Sequence, residues 1–206
     1  MRNDNSFFAK VSDANRFHEA IRRFDELNAG DPNHEAVDGV PHPRELLHAQ
    51  RLSAWVMTLD PDASEELRLA SRCQHLCRWM IPRAQYEMTR VGYHQWRNEL
   101  KRFHAAQSGK VLRDLGYAEA VIERVAVLNL KKHFPADAES RVLEDALCLV
   151  FLEFQLAELA HKTDEEKVIN ALQKSWKKMT TAAHEHALRL KYGPRERELI
   201  EKALRS

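Results

Sequence analysis

Glycine is scarce in this chain, with 6 residues in 206, and long stretches contain neither glycine nor proline. Sheets need frequent turns, and turns depend on these two residue types, so their scarcity favours helices. Apolar residues also recur at helical spacing, as in Phe17, Ile21 and Phe24. We therefore predict an all-α bundle of about eight helices, with no sheet of more than two short strands. The chain length suits one domain, which we place over residues 1–206.

Capping residues, glycines and prolines set the predicted boundaries of the helices. The predicted segments are a helix from Ser12 to Gly30, an ordered loop over 31–43, a helix from about Pro43 to Asp60, a helix capped by Ser64 that runs to about Trp79, a loop from Met80 to Gly92, a helix from about Tyr93 to Gln107, a short piece between Gly109 and Gly116, and helices over about 118–132, 141–161, 164–191 and from Pro194 onward.

The charges nearly balance, because Lys and Arg total 32 and Asp and Glu total 31. This balance argues against a protein that coats nucleic acid, so nucleic acid is not the favoured partner. Cys73, Cys77 and Cys148 are too few for a disulfide framework and fit a reducing compartment. The longest apolar run, Ala146 to Leu152, falls short of the ~20 residues of a membrane span. Met1 to Asn5 opens no apolar leader. We expect a cytoplasmic protein without membrane attachment.

Two consecutive predicted helices carry polar residues in a suggestive layout. Glu45 and His48 have the Glu-x-x-His spacing that places both side chains on one helix face and suits a metal. His48 lies twelve residues before Asp60 and His75 lies twelve after Ala63, so antiparallel helices would bring the two histidines to the same height. Neutral imidazole binds metals or acts as a base. We predict His75 as a catalytic residue and metal ligand, whereas His48 is either a ligand or a core histidine.

Asp145 lies on the most apolar predicted helix, in a stripe with Leu149. A buried carboxylate needs a metal, an arginine or strong hydrogen-bond donors. We place Asp145 and the adjacent Glu144 in the catalytic set, with Asp145 also a metal ligand; the alternative is a structural ion pair with an arginine. His104 completes the predicted metal set, and its alternative is a surface or core-edge histidine.

A basic and aromatic segment spans residues 72–102, where only Glu87 and Glu99 oppose seven Arg and Lys residues. Arginine binds phosphate or carboxylate with two parallel hydrogen bonds, and aromatic faces stack on bases or on arginine. The alternative is a solvated charge run with two core tryptophans. The predicted substrate-binding residues are Gln74, Arg51, Arg78, Arg83, Tyr93 and Arg97.

This order of residues resembles the HD superfamily of metal-dependent phosphohydrolases, in which a mid-helix His is followed by a His-Asp pair and a late Asp. His48 matches the first His and Asp145 the late Asp, while Gln74-His75 stands in place of the His-Asp pair. The resemblance implies a divalent metal (Mn, Fe, Zn or Ni). An amide is a poor ligand, so either the metal set is rebuilt around His75 or no metal binds in the usual way.

Nearly the whole chain also resembles a family known only as domain of unknown function 4202. The resemblance implies that Gln74-His75 is the family form of the pair, and it names no reaction. The matching stretches are Arg16-Phe17 through Asp31-Pro32-Asn33, Glu45-Leu46-Leu47 with Ala49-Gln50-Arg51, Gln74-His75 with Arg78-Trp79, Ile81-Pro82-Arg83, Gly92-Tyr93 with Trp96-Arg97, Phe103-His104-Ala105 and Leu143-Glu144-Asp145.

Two hypotheses follow for function. The first is an HD-like, metal-assisted hydrolase that acts on a small anionic, phosphorylated or nucleotide-like substrate, with His48, His75 and Asp145 in one pocket. The second is a non-catalytic HD-like module that binds a nucleotide or an RNA end through an Arg and aromatic pocket. Gln74 at the usual His favours the second, and Asp145 with His75 favours the first.

Overall fold

The computed structural model describes residues 10–205, and these contain ten α-helices and one two-stranded sheet. The all-α class predicted from the sequence is confirmed, and no helix in the described range is long and apolar enough to cross a membrane. In chain order the elements are α1 (Ala14–Ala29), β1 (His34–Val37), β2 (Val40–Pro43), α2 (Arg44–Leu59), α3 (Glu65–Cys73), α4 (Arg90–Asp114), α5 (Glu119–Leu130), α6 (Ala138–Val150), α7 (Leu156–Lys162), α8 (Glu165–Lys178), α9 (Thr181–Arg189) and α10 (Pro194–Arg205).

The contacts divide the chain into two compact units, Met1–Phe134 and Pro135–Ser206. In the first unit α1 packs on α2, α3 and α4, and α5 packs on α3 and α4, around buried side chains such as Phe24 and Leu69. In the second unit α6 packs on α8 and α9, and α10 packs on α7 and α8. The single domain over residues 1–206 stays a prediction. Residues 1–5, examined above for a leader, lie outside the described residues.

The segment 31–43, predicted to be a loop, instead contains the antiparallel hairpin of β1 and β2. Asp38 and Gly39 form its turn with φ values of 51° and 79°. A two-residue hairpin turn of type I′ requires positive φ at both central positions, and Asp-Gly is a sequence that adopts it. The hairpin leads directly into α2.

The helix N-termini follow the predicted capping rule at one position and depart from it at another. Ser64 caps α3 as predicted, by accepting from the Leu67 N–H at 3.1 Å. The predicted cap Ser12 is wrong, because Asp13 caps α1. The Ser12 N–H instead donates to Oε2 of Glu65 at 2.8 Å and ties the chain before α1 to α3.

Two predicted helix boundaries are also wrong. Helix α4 continues through Gly109, where a Cβ would make an ordinary contact with Cγ2 of Ile122, in α5, at 3.4 Å. The predicted 164–191 helix breaks between α8 and α9, where Thr180 caps α9. The helix predicted over about 141–161 is present, as α6, a π-helical turn at Phe151–Gln155 and α7 in unbroken succession.

Helix α3 ends earlier than the predicted Trp79, and this end shapes the site described below. The last α-helical residue is Cys73, and Cys77 has φ 54° and ψ 33°, in the left-handed region. A short 3-10 helix, Arg78–Met80, follows. The chain therefore turns sharply between His75 and Arg78.

Candidate functional site

Four of the five predicted metal residues lie together in the first unit. Glu45 and His48 come from α2, His75 from the turn after α3, and His104 from α4. The rings of His48 and His75 stack with centroids 4.2 Å apart and planes 13° apart, and the His75 and His104 centroids are 5.8 Å apart. Nδ1 of His75 lies 3.4 Å from Oε2 of Glu45. With Arg78, described next, these residues form what we call the histidine cluster.

Arg78 joins the cluster through three contacts. Its Nη1 donates to Nε2 of His75 at 3.3 Å, and its Nε lies 3.6 Å from Oε1 of Glu45. Its guanidinium carbon lies 5.0 Å from the ring centroid of Trp96, within cation–π distance. A guanidinium only donates, so Nε2 of His75 carries the lone pair and the protonated Nδ1 faces Glu45.

The backbone of Glu45 is held in place by Asp31. Its N–H donates to Oδ2 of Asp31 at 3.0 Å, while Oδ1 of Asp31 accepts from the Asn33 N–H at 2.9 Å. Pro43, the residue before α2, has no side-chain acceptor, so Asp31 satisfies an N–H at the first turn of α2 in its place. The Asp-Pro-Asn stretch thereby fixes the position of the Glu45 backbone.

Burial keeps the three imidazoles neutral. It lowers the pKa of His48 to about 3 and that of His104 to about 4, and the positive charge of Arg78 adds to both effects. Burial, followed by the neighbouring His48 and Arg78, also holds the pKa of His75 well below its usual value. Each ring therefore presents one N–H and one lone pair at neutral pH.

The pKa of Glu45 also shifts in the direction that favours the neutral form of the group. Burial raises the pKa of this carboxyl to about 7, against the opposing charge of Arg78 and with a further increase from Asp31. Perturbed ionisable groups that meet in one place are a mark of functional sites, and the physical cause here is mainly desolvation.

Two buried acceptor atoms of the cluster have no hydrogen-bond partner within residues 10–205. The Leu76 carbonyl accepts from Nδ1 of His104 at 2.8 Å, so Nε2 of His104 carries a lone pair. Nε2 of His104 and Oε2 of Glu45 are the two buried acceptor atoms of the cluster without a hydrogen-bond partner in the described residues. Buried polar atoms are normally hydrogen-bonded, so this pair suggests a ligand or ion at the cluster.

A shared metal fits the cluster only in part. In the described chain, no group of three or more His, Cys, Asp or Glu side chains is arranged to hold a metal ion. Imidazole lone pairs lie in the ring plane, and the nearly parallel planes of His48 and His75 do not meet at a common ion. At most one of these two histidines can join Glu45 and His104 as a ligand in this arrangement.

The predicted substrate-binding residues divide by their contacts. Gln74 is buried, and for its Oε1 the described residues provide no hydrogen-bond partner. Arg51 pairs with Glu35 of β1 at 2.7 Å. Arg83 donates to the backbone carbonyls of Tyr86 at 3.0 Å and Glu87 at 2.6 Å, and so organises the loop before α4.

Two further predicted residues lie near Arg78. Tyr93 is 46% exposed, with its ring centroid 5.9 Å from that of Trp96, which also stacks on Arg78. The charge of Arg97 lowers the pKa values of Arg78 and His104, which shows that it acts on the cluster. Tyr93 and Arg97 therefore lie near Arg78.

Asp145 and Glu144 lie in the second unit, on α6. Oδ1 of Asp145 accepts from the Thr180 N–H at 2.9 Å, and Oδ2 accepts from the Thr180 hydroxyl at 2.5 Å. Oε1 of Glu144 accepts from Nζ of Lys178 at 3.0 Å. These contacts fix the turn between α8 and α9. The convergence of Asp145 with the histidines stays a prediction.

Sequence reasoning missed Asp31, which accepts from the Glu45 N–H, and Asn28, whose Oδ1 accepts from the Cys77 N–H at 3.1 Å. The Asp-Pro-Asn stretch before α2 was a usable signal for Asp31, because aspartate often accepts from backbone N–H groups at turns and helix starts. No sequence pattern identifies Asn28, which reads as an ordinary residue near a helix end.

The structure thus defines a class of protein: an all-α protein with a buried Glu, His and Arg cluster at the meeting of α2, α3 and α4. The family model described as domain of unknown function (DUF4202) matches residues 18–200, and the chain belongs to that family. No curated protein and no solved structure gives a significant match.

Proposed function

We propose that this protein is an HD-like hydrolase that acts on a small anionic, phosphorylated substrate at the histidine cluster. The supporting observation is the convergence of Glu45, His48, His75, Arg78 and His104, which come from three stretches of sequence, in one largely buried place where His75 and Arg78 stay partly exposed. Burying this many ionisable groups costs stability, so a selected chemical use is the natural explanation.

The residues of the cluster have complementary roles in this proposal. Arg78 binds the substrate anion, because guanidinium donors match phosphate oxygens. When Arg78 donates to the substrate, it releases Nε2 of His75, which then takes a proton from the attacking water. The water oxygen bonds to phosphorus, the ester P–O bond breaks, and the leaving alkoxide takes that proton from the His75 imidazolium. Glu45, beside the protonated Nδ1 of His75, stabilises the resulting imidazolium.

A divalent metal is part of the proposal, in the limited form that the geometry allows. Nε2 of His104 and Oε2 of Glu45, together with His48, would hold it, since the lone pair of His75 serves as the base. When bound, a divalent ion lowers the pKa of a coordinated water and polarises a phosphate ester. Binding and orientation of the anion still fall to Arg78 and its neighbours.

The test combines metal analysis with turnover. Purified protein is assayed for bound metals by mass spectrometry and for hydrolysis of p-nitrophenyl phosphate and bis(p-nitrophenyl) phosphate, with and without added Mn²⁺ or Zn²⁺. We expect hydrolysis that His75→Gln abolishes and that His94→Gln, at an exposed position of α4, leaves unchanged. No turnover of either ester under any metal condition would count against the hydrolase.

A second candidate is a non-catalytic HD-like module that binds a nucleotide or an RNA end. The parallel rings of His48 and His75 favour it, because they cannot share an ion. Trp96 and Tyr93 supply aromatic faces beside Arg78. Saturable binding of a nucleotide or of a 5′-phosphorylated RNA, with no metal and no turnover, is the result that selects this alternative.

A further inference from the structure

One peptide group in the first unit is hydrogen-bonded at both ends by side chains from other helices. This group joins Leu76 to Cys77, in the turn that follows α3. The Leu76 carbonyl accepts from Nδ1 of His104, on α4, at 2.8 Å. The Cys77 N–H donates to Oδ1 of Asn28, on α1, at 3.1 Å. Two helices therefore fix the plane of this one peptide.

The backbone at Cys77 needs this support. Its φ of 54° and ψ of 33° lie in the left-handed region, which residues other than Gly, Asn and Asp seldom adopt. Such conformations persist only where the surroundings hold them, and they cluster at functional sites. The N–H of Cys77 is held by Asn28, so the acceptor on α1 stabilises the turn.

Asn28 is itself costly to bury. It is fully buried, and its Nδ2 finds no hydrogen-bond partner within the described part of the chain. An unsatisfied buried amide destabilises a fold. An apolar residue would pack at this place without that cost, so the asparagine serves a purpose beyond packing.

The turn has a clear consequence for the histidine cluster. His75 precedes the fixed peptide and Arg78 follows it, and the two face opposite oxygens of one carboxyl group. Nδ1 of His75 lies 3.4 Å from Oε2 of Glu45, and Nε of Arg78 lies 3.6 Å from Oε1. The two side chains that flank the fixed peptide therefore meet at one carboxyl group.

We propose that Asn28 is a positioning residue of the site. By accepting from the Cys77 N–H, it holds the left-handed turn that directs His75 and Arg78 at Glu45. The same turn directs the Leu76 carbonyl at Nδ1 of His104, which holds His104 in the tautomer with its lone pair on Nε2. The consequence for ligand binding rests on the proposed function, whereas the effect on His104 does not.

The test compares Asn28→Leu, which keeps the branched shape of the side chain but removes the acceptor, with the double variant Asn28→Leu and Cys77→Gly. In Asn28→Leu we expect long-range ¹H–¹⁵N spectra to show His104 as a mixture of tautomers. The affinity for inorganic phosphate, measured by calorimetry, should fall roughly 10- to 100-fold, as for other residues that orient a site. Glycine adopts the left-handed conformation unaided, so the double variant should recover most of both properties.

A matched control removes another buried asparagine of the same unit. Asn129, on α5, donates to Sγ of Cys73 at 3.2 Å and lies outside the histidine cluster. Asn129→Leu should change thermal stability and leave the His104 spectrum as in the wild type. A structural role alone would make the two leucine variants alike.

The outcomes separate this proposal from the function proposed above. An unchanged His104 spectrum in Asn28→Leu, or a loss that Cys77→Gly does not recover, overturns the role of Asn28. If Asn28→Leu does not fold, Asn28→Asp, which keeps an acceptor, decides: a wild-type His104 tautomer supports the role and a mixed one overturns it. If the wild type binds no phosphate, the proposed function fails, and the His104 spectra still decide the role of Asn28.

Discussion

Nη1 of Arg78 donates to Nε2 of His75 across 3.3 Å. The lone pair that would make His75 a base is therefore already occupied, and by the group best suited to bind an anion. An anion that accepts from Arg78 competes directly with His75 for the same donor. Binding of the anion and release of the base are thus one exchange of hydrogen bonds.

Because Arg78 takes part in this exchange, the affinity for an anion should depend strongly on the side chain at position 78. Arg78→Lys keeps the charge but loses the planar donor pair and much of the stacking on Trp96. We expect the affinity for inorganic phosphate, measured by calorimetry, to fall by about tenfold or more. Arg113→Lys is the control, since Arg113, on α4, forms an exposed ion pair with Glu119, on α5. Equal affinity in the two variants would show that the anion binds elsewhere.

The proximity of His48 and His75 could be predicted from the sequence. Their equal separation from the turn at Asp60 to Ala63 places them at one height on two antiparallel helices, and their rings are stacked in the structure. This inference succeeds because it uses only the helical rise and a short connection.

The direction of Arg78 could not be predicted in that way. The sequence suggested that α3 continues to Trp79, which would place Arg78 on a regular helix. The left-handed residue Cys77 ends that periodicity, and its cause is a hydrogen bond to Asn28, 49 positions earlier. A long-range contact of this kind leaves no local pattern, so helix propensity alone misplaces the end of α3.

The neutral histidines predict an acid-sensitive fold. The pKa of His104 is about 4 in the folded protein, below its ordinary value of 6.5. The unfolded chain therefore binds a proton first as the pH falls, and stability is lost between about pH 6.5 and 4. At pH 5 the loss from this one residue is about 2 kcal/mol.

His104→Asn tests this dependence, because an asparagine amide can still donate to the Leu76 carbonyl. Between pH 7.5 and pH 5, the free energy of unfolding in urea should fall by about 2 kcal/mol less for the variant than for the wild type. His94→Asn, at an exposed position of α4, should show the drop of the wild type. Parallel losses in His104→Asn and the wild type would contradict the burial of a neutral ring.

Glu45 predicts the opposite pH dependence. Burial raises its pKa from 4.5 to about 7, so the folded state holds its proton more tightly than the unfolded state. Stability from this group is present at low pH and is lost as the pH rises from about 4.5 through 7. Glu45→Gln removes the titration. The free energy of unfolding of this variant, relative to that of the wild type, should rise by up to about 3 kcal/mol between pH 4.5 and pH 8, as measured by urea unfolding. A constant difference at both pH values would mean that Glu45 is ionised throughout.

Asp145 gives the last prediction, on stability of the second unit. Its carboxylate accepts from both the N–H and the hydroxyl of Thr180, at 2.9 and 2.5 Å, and Thr180 in turn caps α9. Asp145→Ala removes two charge-assisted hydrogen bonds and should destabilise the protein by roughly 2–4 kcal/mol in urea unfolding. Thr180→Val removes the hydroxyl bond to Asp145 and also the cap of α9, so it should cost about as much as Asp145→Ala. The affinity for inorganic phosphate should stay within about twofold in both variants, since both contacts of Asp145 lie within its own unit. A loss of bound metal or of phosphate affinity in Asp145→Ala, with stability intact, would instead support the role of Asp145 as a ligand.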